Sequence, residues 1–413
     1  MDKILDVYLH DRRAGHYSQN KDRLNEFTYA PEYLAMQDAM PLSHSLPLRK
    51  ETFRASACRG FFAGLLPEGE KRETIARNLG ISPRNDFSML DRIGGECAGA
   101  ITFLPPGQPL QQEANEYKLI SEPELENILE ELPNRPLLAG QQGIRLSLAG
   151  AQDKLSVYVS GNQIKLPLGN APSTHIIKPD ISKFAGVVYN EALCMTLAKK
   201  LGLPVADVEI RTSGKKKFLL VGRYDRIPNE NPADPVQRIH QEDFCQALGI
   251  VPEKKYEDEG GVSIKDCFDL LREVSSTPLI DLRHMLDAVI FNFIIGNHDA
   301  HGKNFSLLYD RTNQRKSVRL APLYDLVCTT VYPQLSTNMA MKIGGKYKSD
   351  HIQPSHFDKM AEETGLAKPL VRERVKMIAM RIVDILQQPD AFQEKVANEI
   401  EKRALRTARE FDL

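Results

Sequence analysis

The sequence has no excess of either charge, no paired cysteine motif and no long apolar run. Its 413 residues carry 54 lysines and arginines against 55 aspartates and glutamates, so the formal net charge is -1. A chain that is nearly neutral has no overall electrostatic attraction to DNA or to a membrane surface. Binding to either through bulk charge is therefore excluded, and only a local basic patch could supply it.

The six cysteines are scattered, and no two of them form a CxxC pair. Such spacing argues against a zinc site and a disulfide framework, and it is typical of proteins from a reducing compartment. The amino terminus, MDKILDVYLHDRR, has no apolar segment of signal-peptide length, and no uncharged apolar run could span a bilayer. These absences predict a cytoplasmic protein that does not enter a membrane.

A chain of 413 residues is too long for one compact core, so two or three domains are expected. The first block begins with KILDVYLHDRRAGHYSQ, which predicts two strands with Gly15 at their turn, and continues with helical spacing that ends at Gly80. A polar stretch with four prolines and the acidic helix EPELENILEEL comes next. The predicted division is an α+β subdomain at 1–107, a connecting segment at 108–140, a small lobe at 141–225 and a mostly helical large lobe at 226–413.

The strand-rich block after residue 140 has a characteristic order of elements. IRLSLAGAQDKLSVYV predicts strand, glycine turn and strand, THIIKP predicts a strand containing Lys178, and VVYNEALCMTLAKKLGLP predicts an amphipathic helix. Two strands around a turn, a strand with a lysine, a helix and further strands are the order of a kinase small lobe. The predicted fold class is therefore α+β: a bilobal protein-kinase-like fold with a small N-terminal α+β subdomain.

The stretch GNHDAHGKNFSLL, residues 296–308, gathers polar groups directly after the apolar run AVIFNFII. Asp299 precedes Asn304 by five residues, as the base precedes the metal-binding asparagine in the catalytic loop of protein kinases. A carboxylate can accept the proton of an attacking hydroxyl, an amide oxygen can hold Mg²⁺, and Lys303 could neutralise developing charge. Asp325, in APLYDLV, stands where a second metal carboxylate belongs. The alternative is a polar loop in which Asp299 only caps the next element.

Two upstream features could serve the phosphates of a nucleotide. Small residues in SLAGAQDK (147–154) would let backbone N–H groups approach phosphate oxygens: Ala149, Gly150 and Ala151. Lys178 could contact the same phosphates, although a lysine at a strand end is also common as a solvated terminus. Glu191, thirteen residues later, could pair with Lys178 or simply favour the positive end of its helix.

Seven segments together resemble the HipA-type serine/threonine kinase toxins of bacterial type II toxin–antitoxin pairs. They are LSLAGAQDKLSVYV, THIIKPD, NEALCMTLAKKLGLPVADVEI, GRYDR, HQEDFCQALG, GNHDAHGKNFSLL and LAPLYDLV, and the amino-terminal LPLRKETF, GLLPEG and GGECAGAI resemble that family's leading subdomain. The resemblance implies ATP- and Mg²⁺-dependent phosphorylation of protein serine or threonine. It also implies a DNA-binding, HipB-like antitoxin partner, contact with DNA only through that antitoxin, and a protein substrate such as an aminoacyl-tRNA synthetase.

The resemblance also implies a role for individual residues. Asp299 would be the catalytic base, Asn304 and Asp325 would hold Mg²⁺, and Ser147 would be autophosphorylated as a self-inactivating switch. The remaining positions would lie around the nucleotide: Lys178, Tyr224 and Asp225 (the adenine-side hinge), Gln241, His301 and Lys303. His298 falls where the family motif is variable, so no role is assigned to it.

Two alternatives remain open at this stage. A kinase-like scaffold without catalysis would act only by binding an antitoxin, and the intact residues at Lys178, Asp299, Asn304 and Asp325 argue against it. A divalent-metal phosphohydrolase would use the His298–Asp299 pair, but it needs further histidines and carboxylates on other helices and an all-helical fold. The strand-rich stretch 144–223 argues against that fold.

Overall fold

The structure, a computed structural model, describes residues 2–108, 110, 116–181, 183–229, 236–310, 317–386 and 394–412. The chain divides into two compact units, Met1–Pro179 with Arg211–Glu253 and Asp180–Ile210 with Lys254–Leu413. Parts of the predicted connecting segment and of the predicted lobes lie outside the described residues. The four-segment division made from the sequence stays a prediction.

The first unit consists of short helices and antiparallel strands, labelled here in chain order. Its described elements are β1 (Lys3–Leu9), β2 (Arg12–Gln19), β3 (Asn25–Tyr29), α1 (Pro31–Leu34), α2 (Ala55–Gly64), α3 (Gly69–Leu79), α4 (Asp86–Ile93), β4 (Ile101–Leu104), β5 (Tyr117–Leu119), α5 (Glu122–Glu131), β6 (Leu155–Ser160), β7 (Gln163–Pro167), β8 (His175–Pro179), the end of β9 (Val208–Ser213), β10 (Lys216–Gly222), β11 (Arg226–Ile227), β12 (Gln237–Arg238), β13 (His240–Asp243) and α7 (Phe244–Ala247).

The amino-terminal sheet of this unit has the order β3-β2-β1-β4 over an aromatic core. Tyr17 stacks on Phe62 of α2 with 4.2 Å between ring centroids, and Phe62 also contacts Phe103 of β4. The expectation that Gly15 forms the turn is wrong, because Gly15 lies inside β2, paired with Val7 and Tyr29. A Cβ at Gly15 would overlap the backbone of β3, so close approach of strands explains this glycine.

The second sheet has the order β5-β7-β6-β8-β10-β9 and is covered by α5. Ser121 and Glu124 form a capping box at the start of α5, and Leu125 and Leu129 bury one face of the helix. The strand predicted around Lys178 is confirmed as β8. The strand predicted before the glycine turn is wrong, since Leu146 and Gly150 make only isolated bridges and regular pairing starts with β6.

The second unit is mostly helical. Its described elements are α6 (Val187–Lys200), the start of β9, α8 (Ile264–Val274), α9 (Pro278–Ile295), β14 (Ser306–Asp310), β15 (Ser317–Leu320), β16 (Asn338–Ile343), β17 (Lys346–Lys348), α10 (Pro354–Glu363), α11 (Lys368–Leu386) and α12 (Glu394–Glu410).

Helix α9 is the centre of this unit. It packs against α8, α11 and α12, and every residue from Met285 to its end is buried. A helix that is apolar on all sides is stable only when other elements surround it. Strands β14 and β15 pair antiparallel just beyond the end of α9. The loop between α9 and β14 therefore starts and ends on rigid, buried elements.

Candidate active site

The loop predicted to carry catalysis begins where α9 ends at Gly296. Gly296 has φ 72°, a left-handed conformation that stops the helix, and a Cβ there would lie 2.6 Å from Thr330 Oγ1. The Asn297 N–H donates to the Asn292 carbonyl at 2.9 Å, which completes the helix end. Only glycine fits this position, so the loop leaves α9 in a fixed direction.

Asp299 is exposed in an otherwise buried stretch. From Met285 to Tyr309 all residues except Asp299 are buried, including the polar residues His298, His301 and Asn304. The Asp299 N–H donates to Asn297 Oδ1 at 3.2 Å, and its carbonyl accepts the His301 N–H at 2.9 Å. The loop thus turns one carboxylate outward and holds the backbone on both sides of it. Asp299 is not the N-cap of the following 3₁₀ turn, Gly302–Asn304, whose N-cap is His301.

Two hydrogen bonds tie this loop to the segment that contains Asp325. The Tyr324 hydroxyl donates to the Lys303 carbonyl at 2.7 Å, and Asn297 Nδ2 donates to the Asp325 carbonyl at 3.4 Å. Asp325 has φ 59°, a left-handed conformation that costs free energy in a residue other than glycine. The structure therefore brings together the segments of the two predicted metal ligands, Asn304 and Asp325.

The donor chemistry of these two residues fits a magnesium ion. An amide oxygen from Asn304 and a carboxylate oxygen from half-buried Asp325 are hard ligands of the kind that Mg²⁺ prefers. Among the described residues there is no cluster of three or more histidine, cysteine, aspartate or glutamate side chains arranged to hold a metal. The cluster that the phosphohydrolase alternative requires is thus not found in the described part of the chain.

His298 acquires a structural position that the sequence did not indicate. Its ring nitrogens lie 3.2 Å from the Ser336 carbonyl and 3.0 Å from Ser349 Oγ, and its backbone carbonyl accepts the Ala340 N–H at 2.8 Å. Since a carbonyl only accepts, Nδ1 carries the proton and Nε2 accepts from the serine. Burial lowers the pKa of His298, which favours this neutral form. These contacts anchor His298 and thereby fix the backbone that leads into Asp299.

In the first unit, the predicted phosphate loop, residues 147–154, is hydrogen-bonded to the end of α2 and the start of α3. Ser147 is fully buried, and its hydroxyl donates to the Leu65 carbonyl at 2.8 Å. Gly150 has φ 105°, and its carbonyl accepts the Glu68 N–H at 3.2 Å. The Ala149 carbonyl accepts from Lys154 Nζ at 2.7 Å, and Ala151 is exposed beside it. The small residues of this loop thus pack against backbone from α2 and the start of α3.

Lys178 lies in the centre of a sheet rather than at a solvated strand end. It pairs in register with Leu219 of β10, and the residue as a whole is 6% exposed. Burial of a lysine side chain is costly unless the ammonium group has a function or a partner. Glu191 is buried on α6 of the other unit. Its pairing with Lys178 stays a prediction.

The hinge segment predicted around Tyr224 and Asp225 holds a buried ionic network. The Asp225 carboxylate accepts from Arg223 at 2.9 and 2.8 Å and from the Gly99 N–H at 2.8 Å. Burial alone would raise the pKa of Asp225, but the charges of Arg223 and Arg226 reverse this and lower it. Asp225 is therefore ionised and shielded from solvent.

A second carboxylate in this network, Glu96, was missed by the sequence analysis. Its carboxylate accepts hydrogen bonds from Arg223 at 3.0 Å and from Arg226 at 2.5 Å. Between these two arginines, the Tyr224 hydroxyl donates to Gln241, which was predicted to lie near the nucleotide. The Glu96 carbonyl also accepts the Ser147 N–H at 2.9 Å. Glu96 thus connects the hinge segment with the Ser147 loop. Its only sequence signal was its place in GGECAGAI.

Tyr256 is a second residue that the sequence analysis missed. It lies beside the single turn Glu257–Glu259, and its hydroxyl donates to Asp299 Oδ1 at 2.8 Å. Its ring meets the His301 ring edge-on with 5.5 Å between centroids. The spacing of 43 residues between Tyr256 and Asp299 gives no periodic signal, so only the fold reveals the contact.

Comparison with known proteins identifies the family. The model described as HipA-like C-terminal domain matches residues 146–386, and the model described as HipA N-terminal domain matches residues 5–104. The serine/threonine-protein kinase toxin HipA of Shewanella oneidensis is 33% identical over 393 residues, covering 92% of this chain and 87% of the relative. A putative kinase of Sinorhizobium fredii, Y4mE, is 46% identical over 379 residues, covering 90% and 88%. The chain belongs to the HipA family of serine/threonine kinase toxins.

Structural comparison agrees with the sequence relatives. The HipA protein solved in complex with HipB and operator DNA from Shewanella oneidensis superposes with a TM-score of 0.84 at 29% identity, covering 99% of both chains. The predicted fold class, α+β and protein-kinase-like with an N-terminal α+β subdomain, is confirmed. In the part of the chain that the structure describes, no helix combines the length and apolarity needed to cross a bilayer.

Proposed function

We propose that this chain is an ATP- and Mg²⁺-dependent serine/threonine protein kinase that acts as the toxin of a toxin–antitoxin pair. The observation that carries the proposal is Asp299: one carboxylate exposed in a buried stretch that runs from Met285 to Tyr309. A general base must be reachable by the substrate and fixed by its surroundings, and Asp299 meets both conditions. Its role is to accept the proton of the serine or threonine hydroxyl.

Asn304 and Asp325 are proposed to hold Mg²⁺. Magnesium, when bound, neutralises charge on the nucleotide phosphates. The hydrogen bonds from Tyr324 to the Lys303 carbonyl and from Asn297 to the Asp325 carbonyl support this assignment, because they fix the two segments to each other. Lys303 and His301 lie in the same buried loop and are proposed to face the phosphates.

The first unit is proposed to supply the nucleotide-side groups. Lys178 offers a buried positive charge for phosphate oxygens, and the turn at Ala149, Gly150 and Ala151 offers backbone N–H groups. Tyr224, Asp225 and Gln241 are proposed to form the adenine side. Support comes from the hydrogen bond between Tyr224 and Gln241 and from the buried ion pair between Arg223 and Asp225, which fixes the backbone of this segment.

Ser147 is proposed to be an autophosphorylated switch. Its hydroxyl is fully buried against the Leu65 carbonyl, so the loop has to leave this position before the hydroxyl can accept a phosphoryl group. A phosphate adds about −1.5 to −2 charge, and a dianion cannot return to a site lined by a carbonyl oxygen. Phosphorylation would therefore hold the loop open and prevent it from covering a nucleotide.

A HipB-like, DNA-binding antitoxin is the proposed partner, with DNA contacted through it. The complex from Shewanella oneidensis supports this, since its HipA matches nearly the whole chain. An aminoacyl-tRNA synthetase is the proposed class of cellular substrate, on the family resemblance alone. Operator DNA should shift in a gel with this chain only when the antitoxin is added; a shift by the chain alone would contradict the indirect contact.

The deciding experiment is phosphoryl transfer by the purified chain with ATP and Mg²⁺, with sites mapped by mass spectrometry. Asp299→Asn keeps the shape of the side chain but cannot take the proton, so we expect transfer to fall about 10²–10⁴-fold. Asp258→Asn, an exposed change of the same kind in the same unit, is the control and should behave as wild type. Transfer by Asp299→Asn at the wild-type rate would refute the assignment, and the absence of activity in both wild type and variant would favour the scaffold alternative.

A further inference from the structure

Asp299 is held by a phenol from a distant part of the same unit. The Tyr256 hydroxyl donates to Asp299 Oδ1 at 2.8 Å. We propose that Tyr256 is a positioning residue for the catalytic base, which fixes one carboxylate oxygen and presents the other, Oδ2, to the substrate hydroxyl. The inference rests on the proposed function, because it assigns Tyr256 a role through Asp299.

The backbone of Tyr256 is anchored on its own side of the contact. Its carbonyl accepts the Gly261 N–H at 2.8 Å and the Glu259 N–H at 3.1 Å, so the segment closes on itself. The neighbouring Glu257 accepts the Lys342 N–H at 2.7 Å and pairs with its ammonium group at 2.9 Å. This joins the turn to β16. Tyr256 is therefore carried by a fixed turn rather than by an untethered loop.

The ring of Tyr256 is held as well. It meets the His301 ring edge-on at an interplanar angle of 72°, and Lys255 Nζ lies 5.3 Å from its centroid. The His301 N–H in turn donates to the Asp299 carbonyl at 2.9 Å. Tyr256 thus contacts the loop twice, once through its hydroxyl on the Asp299 carboxylate and once through its ring on His301, whose backbone N–H holds the Asp299 backbone carbonyl.

An exposed aspartate needs such support. Its side chain has two torsions, and solvent alone would leave the carboxylate free to rotate away from an attacking hydroxyl. Proton transfer requires the base within hydrogen-bond distance of the hydroxyl, and small misplacements reduce rates strongly. Because the phenol donates to Oδ1, it occupies one oxygen of the carboxylate and leaves Oδ2 to accept the proton.

The test is Tyr256→Phe, which removes one oxygen and keeps the ring against His301. If the transition state depends on this hydrogen bond to a carboxylate, its loss raises the activation barrier, and we expect kcat to fall roughly tenfold or more. We expect KM for ATP to stay unchanged, because the hydroxyl contacts the base and not the nucleotide side. Tyr347→Phe is the matched control, since Tyr347 is a half-buried tyrosine of β17 in the same unit. It should keep the wild-type kcat.

The outcomes separate this inference from the proposed function. A wild-type or raised kcat for Tyr256→Phe, with Asp299→Asn inactive, overturns the positioning role and leaves the base in place. A raised KM for ATP with unchanged kcat also overturns it. Turnover by Asp299→Asn refutes the base assignment itself, and the positioning role falls with it. Thermal unfolding of both tyrosine variants should match wild type; a large loss confined to Tyr256→Phe would show a structural role instead.

Discussion

Replacement of the buried Glu96 by glutamine should destabilise the first unit severely. Glu96 is fully buried, and its carboxylate receives two arginines, Arg223 at 3.0 Å and Arg226 at 2.5 Å. Those two arginines are 2% and 0% exposed. The glutamine keeps the length of the side chain and one oxygen acceptor, but it removes the negative charge that balances the network.

The size of the effect follows from the charges that remain. In the wild type the guanidinium groups of Arg223 and Arg226 pair with the carboxylates of Glu96 and Asp225. In the variant only the Asp225 carboxylate remains to pair with both arginines. Removal of one partner from a buried ion pair costs about 3–5 kcal/mol, because the other charge stays buried and uncompensated. The amide oxygen recovers part of this, so we expect a loss of about 3 kcal/mol. The urea midpoint should fall by roughly 1 M or more.

The assay is urea unfolding followed by far-ultraviolet circular dichroism, since the chain has no tryptophan. Glu253→Gln is the matched control in the same unit, because Glu253 pairs with Arg59 at 2.5 Å on the surface with 60% of its side chain exposed. An exposed pair contributes below about 1 kcal/mol. Equal midpoints for Glu96→Gln and Glu253→Gln would refute the claim that the buried network stabilises this unit.

Three further predictions concern the metal, the switch and pH. Asp325→Asn removes one charge from the proposed ligand set and should weaken Mg·ATP binding, measured by calorimetry, more than it changes unfolding. Protein phosphorylated at Ser147 should bind nucleotide more weakly than the same protein treated with phosphatase; equal affinities would remove the switch. Burial lowers the pKa of His240 to about 3. As the pH falls below about 6.5, the imidazole is therefore protonated in the unfolded chain while it stays neutral in the folded chain. Stability should drop by about 2 kcal/mol at about pH 5, and His240→Gln should flatten that decline in urea titrations.

The sequence was most informative where local chemistry decides the structure. Gly80 was predicted as a helix end, and it has the left-handed conformation that terminates a helix. The apolar strand around Lys178 and the helix α6 also followed from periodicity. The spacing of Asp299 and Asn304 in the loop after α9 led to the proposal of a base and a metal ligand, which stays a prediction for these two residues.

Long-range contacts account for the failures. Gly15 resembled a turn glycine, but the turn lies at His10, which has φ 56°, and Gly15 is needed where β2 passes close to β3. The segment before Gly150 alternates as a strand does, yet its backbone bonds to Glu96, and Gly150 itself bonds to Glu68, rather than to a neighbouring strand. Periodicity describes which side of a segment is apolar, and it contains no information about which partner covers that side.

The same limit explains why the site was only partly predictable. Residues that act on a substrate carry a chemical signature, so Asp299, Asn304 and Asp325 could be proposed as site residues from their type and spacing. Residues that hold them in place need only a hydrogen-bonding atom at the right point, which Tyr256 and His298 supply from a turn 43 residues upstream and from the adjacent position. Many residue types could meet that requirement, so no motif marks them. Their contribution becomes visible only when the fold brings the turn of Tyr256 and strand β16 to the loop of Asp299. It is these contacts that decide whether an exposed aspartate is fixed well enough to serve as a base.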